Sequence, residues 1–421
     1  MLDIKFIREN PDLIREAARK KHINFNVDEL ISADQKRLEL LARVETLRAE
    51  QNSVSDRIPT ASVDDRNTLI QQMTLLKEEL KSHEEELKQV MTEWQLLMLR
   101  VPNVPDVSVP DGDDDTGNME VRVWGEHPSL ENPKSHIELC EMHDLADFER
   151  GAKVAGFRGY FLKNEAVLIE MALWQLFNEK LVAKGFTPMI VPSLVNKKTL
   201  VGTGYLPGGE DDLYRTQDDE YLAGTGEVAT MSYYSDEVLD LAQLPIKIAA
   251  FSPCFRREAG SHSKDTKGLI RVHEFFKLEQ VVLCEASHTT SVSYHEAITQ
   301  NVEELLQELQ LPYHVVVNCG GDLGQGQVKK YDIEVWMPSQ HTYRETHSAS
   351  YFHDFQTRRL NIRYRDAEGK LRFVHSLNNT AVATPRIVAC ILENYQQADG
   401  TIRIPEVLRK YLAGKEFIGV K

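Results

Sequence analysis

The stretch FRREAGSHSKDTKGLIRVHEFFKLEQ, residues 255–280, crowds Arg256, Glu258, Arg271, Phe275 and Glu279 into one short segment. Guanidinium forks bind phosphate oxygens through paired, charge-assisted hydrogen bonds. A phenylalanine face stacks on a purine, and carboxylates hold a ribose, an amine or a metal. These are the groups an ATP site needs. The polar insert AGSHSKDTKG is expected to close over a ligand. Alternating Arg and Glu also suits a surface hairpin of solvated salt bridges, so the stretch alone leaves both readings open.

Such a cluster needs a scaffold. The reading is a hairpin: a strand over 247–258, a loop over 259–269 and a returning strand over 270–284. Strand side chains alternate with period two, so Arg271, His273, Phe275, Lys277 and Glu279 share one face and Val272, Phe276 and Leu278 the other. Further apolar or alternating runs follow at YHVVVN, YDIEVWMP and RLNIRYR, with helical patterns at 164–184 and over HTTSVSYHEAITQNVEELLQELQL. TAVATPRIVACILENYQ reads as a closing apolar helix. Adjacent strands on short connections indicate an α+β domain, an antiparallel sheet with helices packed on one side. Gly-x-Gly-x-x-Gly and Walker-type motifs are absent, so the two common nucleotide folds are unsupported.

The N-terminal third differs. Leu30, Ala33, Arg37, Leu40, Val44, Leu47, Gln51, Val54 and Ile58 follow 3-4 spacing, and so do Leu69, Met73, Leu76, Leu80, His83, Leu87, Val90, Trp94 and Leu97. Pro59 separates the two runs. Two long helices on a short turn form an antiparallel coiled-coil hairpin, expected to project into solvent. Periodicity alone suits a spacer or dimerisation coil as well as an RNA-binding arm. Domains are expected at 1–100 and 121–421, joined by an acidic, proline-containing linker at 101–120.

The formal net charge is −16, which argues against non-specific nucleic-acid binding and requires any RNA contact to be local. Arg37, Arg43, Arg48, Lys77, Lys81 and Lys88 are candidates for a basic stripe. The 5 cysteines are widely spaced, which fits a reducing cytoplasm. No membrane span or signal-peptide pattern is apparent.

The segment FRREAG, KDTKGL and RVHEFFKLEQ resembles the second signature motif of class II aminoacyl-tRNA synthetases, in its seryl form. KGFTPMIVPSLV resembles the first motif, with Pro192 at its interface proline. SLNNTAVATPRIVACILENYQ resembles the third, with Arg386 as its arginine. AGTGEV and RETHS resemble two further family segments, and the N-terminal hairpin resembles the family's tRNA-binding arm. Departures are Gly226, where alanine is frequent, Arg257, where serine is common, and His262-Ser263 in the loop.

The resemblance implies an enzyme that converts L-serine and ATP to seryl-adenylate and passes the seryl group to tRNA(Ser), with tRNA(Sec) as a further expected acceptor. It implies Mg2+ and a homodimer. Arg256, Glu258, Arg271 and Arg386 are implied in catalysis. Arg257, Val272, Phe275, Glu345, Thr346, His347 and Ser348 join Arg256, Glu258 and Arg386 around ATP, with Glu345 and Ser348 on the metal. Thr225, Gly226, Glu227, Glu279, Asn378 and Thr380 are implied around serine. The alternative is a synthetase-like ligase that loads an amino acid onto a carrier protein.

Overall fold

The computed structural model describes residues 1–260 and 265–419. The chain divides into two compact units, Met1–Arg19 with Ile23–Pro102, and Lys20–His22 with Asn103 onward.

In the first unit, short helices Ile4–Glu9 and Pro11–Lys20 precede the hairpin of α1 (Val27–Arg57) and α2 (Val63–Arg100). Side chains cap both long helices: Asn26 accepts from the Asp28 amide and Ser62 from the Asp65 amide, satisfying otherwise orphaned donors. Val44, Leu47 and Val54 pack with Leu69, Leu76 and Leu80 along the seam. One seam position departs from the expected register. Asp34 is fully buried, pairing with Arg8 at 3.3 Å and Arg37 at 2.8 Å. Arg37 in turn lies 4.7 Å over the Trp94 ring.

The second unit is built on eight strands: β1 (Met119–Trp124), β2 (Thr187–Ile190), β3 (Ile246–Phe255), β4 (Glu274–Cys284), β5 (Tyr313–Val317), β6 (Lys329–Met337), β7 (Thr342–His353) and β8 (His375–Thr384). Their order is β1-β5-β6-β7-β8-β4-β3-β2. Every neighbouring pair is antiparallel except β2–β3, where Thr187 pairs with Ile248 in parallel. Pro188 is tolerated there because β2 is an edge strand.

Helices α3 (Asn164–Ala183), α4 (Gly226–Ser232), α5 (His288–Glu308) and α6 (Arg386–Asn394) complete the frame. Leu173 and Leu176 of α3, Val302 and Leu305 of α5, and Val388 and Ile391 of α6 share one buried core with Leu278, Val282, Ile333 and Ala349 of the sheet. That core lies on one sheet face and leaves part of the other for ligand.

Three boundaries differ from the sequence reading. The central hairpin is shorter: pairing stops at Phe255 and Glu274. Glu258 (φ 55°) and Gly260 (φ 82°) turn the chain away, so Arg256, Glu258 and Arg271 sit on its loop and not on strands. Residues 375–384 are a strand, and the last apolar helix begins only at Arg386, after Pro385; beyond it, Ile402–Arg403 pairs with Phe417–Ile418. The acidic stretch after Pro102 is fastened to the second unit. The Asn103 amide donates to the carbonyls of Gly326 at 2.9 Å and Phe352 at 2.8 Å, and Val109 is buried. The tip of the insert, residues 261–264 with His262-Ser263, lies outside the described residues.

All five cysteines are buried and free. Among the described residues no helix is long and apolar enough to cross a membrane.

Candidate active site

Two β-bulges set which side chains face the open side of the sheet. Between β6 and β7, Glu334 pairs with Glu345 and Asp332 with Ser348, leaving Thr346 as the extra residue. Strict alternation would put Glu345 and Ser348 on opposite faces. The bulge puts both on one, while His347 pairs with Ile333 on the core face. Between β4 and β8, Glu279 pairs with Thr380 and Leu278 with Val382, and Ala381 is the extra residue. Thr380, Asn378 and Ala383 thereby reach the side of Glu279 and Lys277.

The open face carries a cleft lined by Arg256, Glu258, Arg271, Val272, Phe275, Lys277, Glu345, Thr346, Thr380 and Arg386. Most of its cations are already paired. Arg271 bonds Glu258, Lys277 pairs with Glu279, and Arg386 reaches the Glu345 carboxylate at 3.3 Å and its carbonyl at 2.6 Å. Arg386 also donates from Nε to the Ile270 carbonyl at 2.7 Å, tying α6 to the loop. Arg256 forms no ion pair among the described residues. Its guanidinium stands 5.4 Å over the Phe275 ring and donates to the Gly224 carbonyl at 3.3 Å. A flat ring and a cation without a carboxylate partner border the cleft, groups suited to an aromatic base and to a phosphate.

Enclosure by neighbouring atoms opposes ionisation of Glu345, but Arg386, Lys330 and Arg256 outweigh it and hold the carboxyl well below the usual range. Its side chain keeps 45% exposure, so the anion is available to a cation from solution. Asp332, directly across from Ser348, is buried, takes hydrogen bonds from Asn318 at 2.7 Å and Lys330 at 3.0 Å, and is pushed up to about 6 by burial.

At the other end of the cleft, Thr225 caps α4 and accepts from Lys277 Nζ at 2.8 Å. Glu227, in the first turn of α4, accepts from Tyr205 at 3.2 Å and Gln356 at 2.5 Å. Burial raises its pKa, against hydrogen bonds from Gln356 and Asn378. Gly226 lies against β3, where an added Cβ would sit 3.2 Å from Ser252 Oγ.

The sequence itself has close relatives. Residues 1–105 match the family model described as seryl-tRNA synthetase N-terminal domain, and 212–395 the tRNA synthetase class II core domain (G, H, P, S and T). A serine–tRNA ligase of Deinococcus radiodurans is 48% identical over 421 residues, covering 100% of this chain and 99% of the relative. The chain belongs to the seryl-tRNA synthetases. Another serine–tRNA ligase, from Desulfitobacterium hafniense strain Y51, is 41% identical over the whole of both chains. The crystal structure of seryl-tRNA synthetase from Pyrococcus horikoshii complexed with ATP superposes with a TM-score of 0.92 at 40% identity, covering 99% of each chain. The cytoplasmic serine–tRNA ligase of Naegleria fowleri in complex with AMP superposes at 0.89 and 30% identity, covering 100% of this chain and 99% of that one. The carrier-protein alternative finds no support.

Within this seryl-tRNA synthetase fold, nine of the residues singled out in the sequence line the cleft: Arg256, Glu258, Arg271, Val272, Phe275, Glu345, Thr346, Thr380 and Arg386. Thr225, Gly226, Glu227, Glu279 and Asn378 lie outside that lining, at α4 and on β4 and β8, and Arg257, His347 and Ser348 are outside it too. Arg257 is exposed and its side chain is outside the lining; its amide bonds the Asp212 carbonyl at 3.0 Å. His347 is 1% exposed on the core face, its Nδ1 2.8 Å from the Thr346 hydroxyl. Ser348 shares the face of Glu345 and is partly exposed. Three charged groups were given no role: Lys277, Lys330 and Asp332. Alternation through FFKLEQ and KKYDIE places all three on the open face. Tyr205 comes from a distant loop and Gln356 from the short helix Phe355–Leu360, and neither carries a local signal.

Proposed function

We propose that the cleft binds ATP between Arg256, Phe275, Arg271 and Arg386, and serine between Thr225, Glu227, Glu279, Asn378 and Thr380. The serine carboxylate attacks the α-phosphorus, pyrophosphate leaves, and the seryl group then passes from the adenylate to the terminal ribose of tRNA(Ser). The observation that carries this reading is the unpaired Arg256 guanidinium above Phe275. Arg256 takes the α-phosphate, where charge builds in the transition state. Arg271 and Arg386 turn from their internal carboxylates to the distal phosphates. No general base is needed, because the attacking group is already a carboxylate; positioning and charge neutralisation supply the rate.

The donor set fits magnesium. Glu345 is a hard, ionised and half-open oxygen donor, and the bulge places the Ser348 hydroxyl on its face. When bound there, the ion neutralises and orients the phosphates. Glu345 and Ser348 would hold it, with Asp332 behind Ser348.

We assign the hairpin of α1 and α2 to tRNA. A homodimer is proposed through the groove of Met171, Trp174, Met189, Ile190 and Phe251, near exposed Pro192; Ile190 is 85% exposed, unusual for a large apolar side chain. The free, buried cysteines suit the cytoplasm. Acylation of tRNA(Ser) with labelled serine tests the reading, with tRNA(Sec) as a parallel substrate. Serine-dependent charging supports it; charging that does not require serine overturns it.

A further inference from the structure

Lys277 is the cation of the cleft that these roles leave unused. It lies on β4 between Phe275 and Glu279, and alternation turns all three side chains to the open face. Its ammonium donates to Thr225 Oγ1 at 2.8 Å and pairs with the Glu279 carboxylate. Thr225, Lys277 and Glu279 are 3%, 4% and 2% exposed, so this is an interior arrangement and not a surface salt bridge. Thr380 stands directly across from Glu279.

The two acceptors that Lys277 occupies, Thr225 and Glu279, are two of those proposed around serine. A primary ammonium bound to a hydroxyl and a carboxylate is chemically the group the pocket must recognise. We propose that Lys277 is a built-in stand-in for the α-ammonium of the substrate, holding Glu279 and Thr225 before substrate binds and yielding them to a ligand that brings its own ammonium. The inference rests on the serine reading of this pocket.

The physical case follows from burial. A buried carboxylate without a counter-ion is strongly unfavourable, and Lys277 compensates Glu279 before substrate arrives. It also keeps Thr225 and Glu279 at the spacing one ammonium requires, which is preorganisation. Binding then exchanges one ammonium for another. Because Lys277 lines the cleft beside Arg256, its displaced head moves toward the substrate carboxylate. A ligand that lacks the amine has nothing with which to displace it. The device thus selects for amino acids over hydroxy acids of the same shape.

Two measurements test this on the full-length protein. Crystal structures of the wild type, alone and with a non-hydrolysable seryl-adenylate analogue, should show Lys277 Nζ leaving Thr225 when the analogue binds. A bound state in which Nζ stays within about 3.2 Å of Thr225 Oγ1 overturns the proposal. Calorimetry with serine and with 3-hydroxypropanoate, which keeps the carboxylate and hydroxyl but has no amine, gives the second. In Lys277→Met, serine should bind more tightly, because its competitor is gone. The 3-hydroxypropanoate should bind more weakly, because Glu279 then repels its carboxylate. We expect shifts of about tenfold in opposite directions. Equal weakening of both ligands would make Lys277 merely structural. Wild-type protein that binds no serine would overturn the pocket reading itself, and this inference with it.

Discussion

Arg256 is the residue on which the nucleotide reading turns. It is exposed at the cleft, has no carboxylate partner among the described residues and contacts Phe275 and the Gly224 carbonyl. Replacing it should therefore leave the fold nearly unchanged while removing a contact that strengthens in the transition state. Arg256→Ala is expected to slow serine-dependent pyrophosphate exchange by about 10²–10³, corresponding to about 3–4 kcal/mol, with a melting temperature close to wild type. Exchange within threefold of wild type would remove Arg256 from the phosphate site. Residue types were legible at this scale: Arg256, Arg271, Phe275, Glu345 and Arg386 all reach one cleft. The face of His347 was not, because alternation counts residues evenly and the bulge at Thr346 shifts the count by one. A bulge leaves little mark in residue types.

At the scale of elements, the structure leaves half of the candidate basic stripe without an ion pair among the described residues. Arg37, Arg43 and Arg48 are paired with Asp34, Glu79 and Glu84. Lys77, Lys81 and Lys88 are exposed and in no ion pair among the described residues. Their spacing of four and seven puts them on one side of α2. Changing all three to Glu should weaken tRNA(Ser) charging at subsaturating tRNA and flatten its salt dependence, with pyrophosphate exchange intact. Unchanged charging would favour a spacer role for the arm. The 3-4 pattern in the sequence located both helices closely; what it could not reveal was that Asp34 neutralises Arg37 inside the seam.

The strands and helix behind the cleft carry a pH signature. Burial lowers His295 of α5, His353 of β7 and His375 of β8 each to about 4. In the unfolded chain such groups titrate near 6.5, so between about pH 6.5 and 4 the unfolded state binds more protons and stability falls as pH falls. Glu170, Glu227 and Asp332, raised by burial, and His314, raised where hydrogen bonds to Glu334 and Glu120 outweigh burial, act in the opposite sense, so the histidine contribution is read as a difference between two proteins. Between pH 7 and pH 5 the melting temperature should fall more steeply, or rise less, in the wild type than in His353→Gln. The same pH dependence in both proteins would contradict the neutral, buried state of the His353 imidazole.

For the whole molecule, the groove around Ile190 predicts a dimer, so light scattering at low micromolar concentration should give twice 48.1 kDa. A fully active monomer would sink that assignment. The division of labour between units predicts that deleting residues 30–99 spares serine activation, since Arg256, Glu279, Glu345 and Arg386 all belong to the second unit, and lowers tRNA charging by orders of magnitude. Sheet and helices were legible in hydrophobic period, and KGFTPMIVPSLV reads as a strand, but the parallel pairing of β2 was not legible, because Thr187–Ile190 pairs with a strand far along the chain. The most direct test of the central claim is amino-acid-dependent ATP–pyrophosphate exchange by the purified chain, run separately with each of the standard amino acids. Exchange with serine, and far weaker exchange with alanine and threonine, is the predicted result. Exchange with none, or with another amino acid in preference to serine, would contradict it.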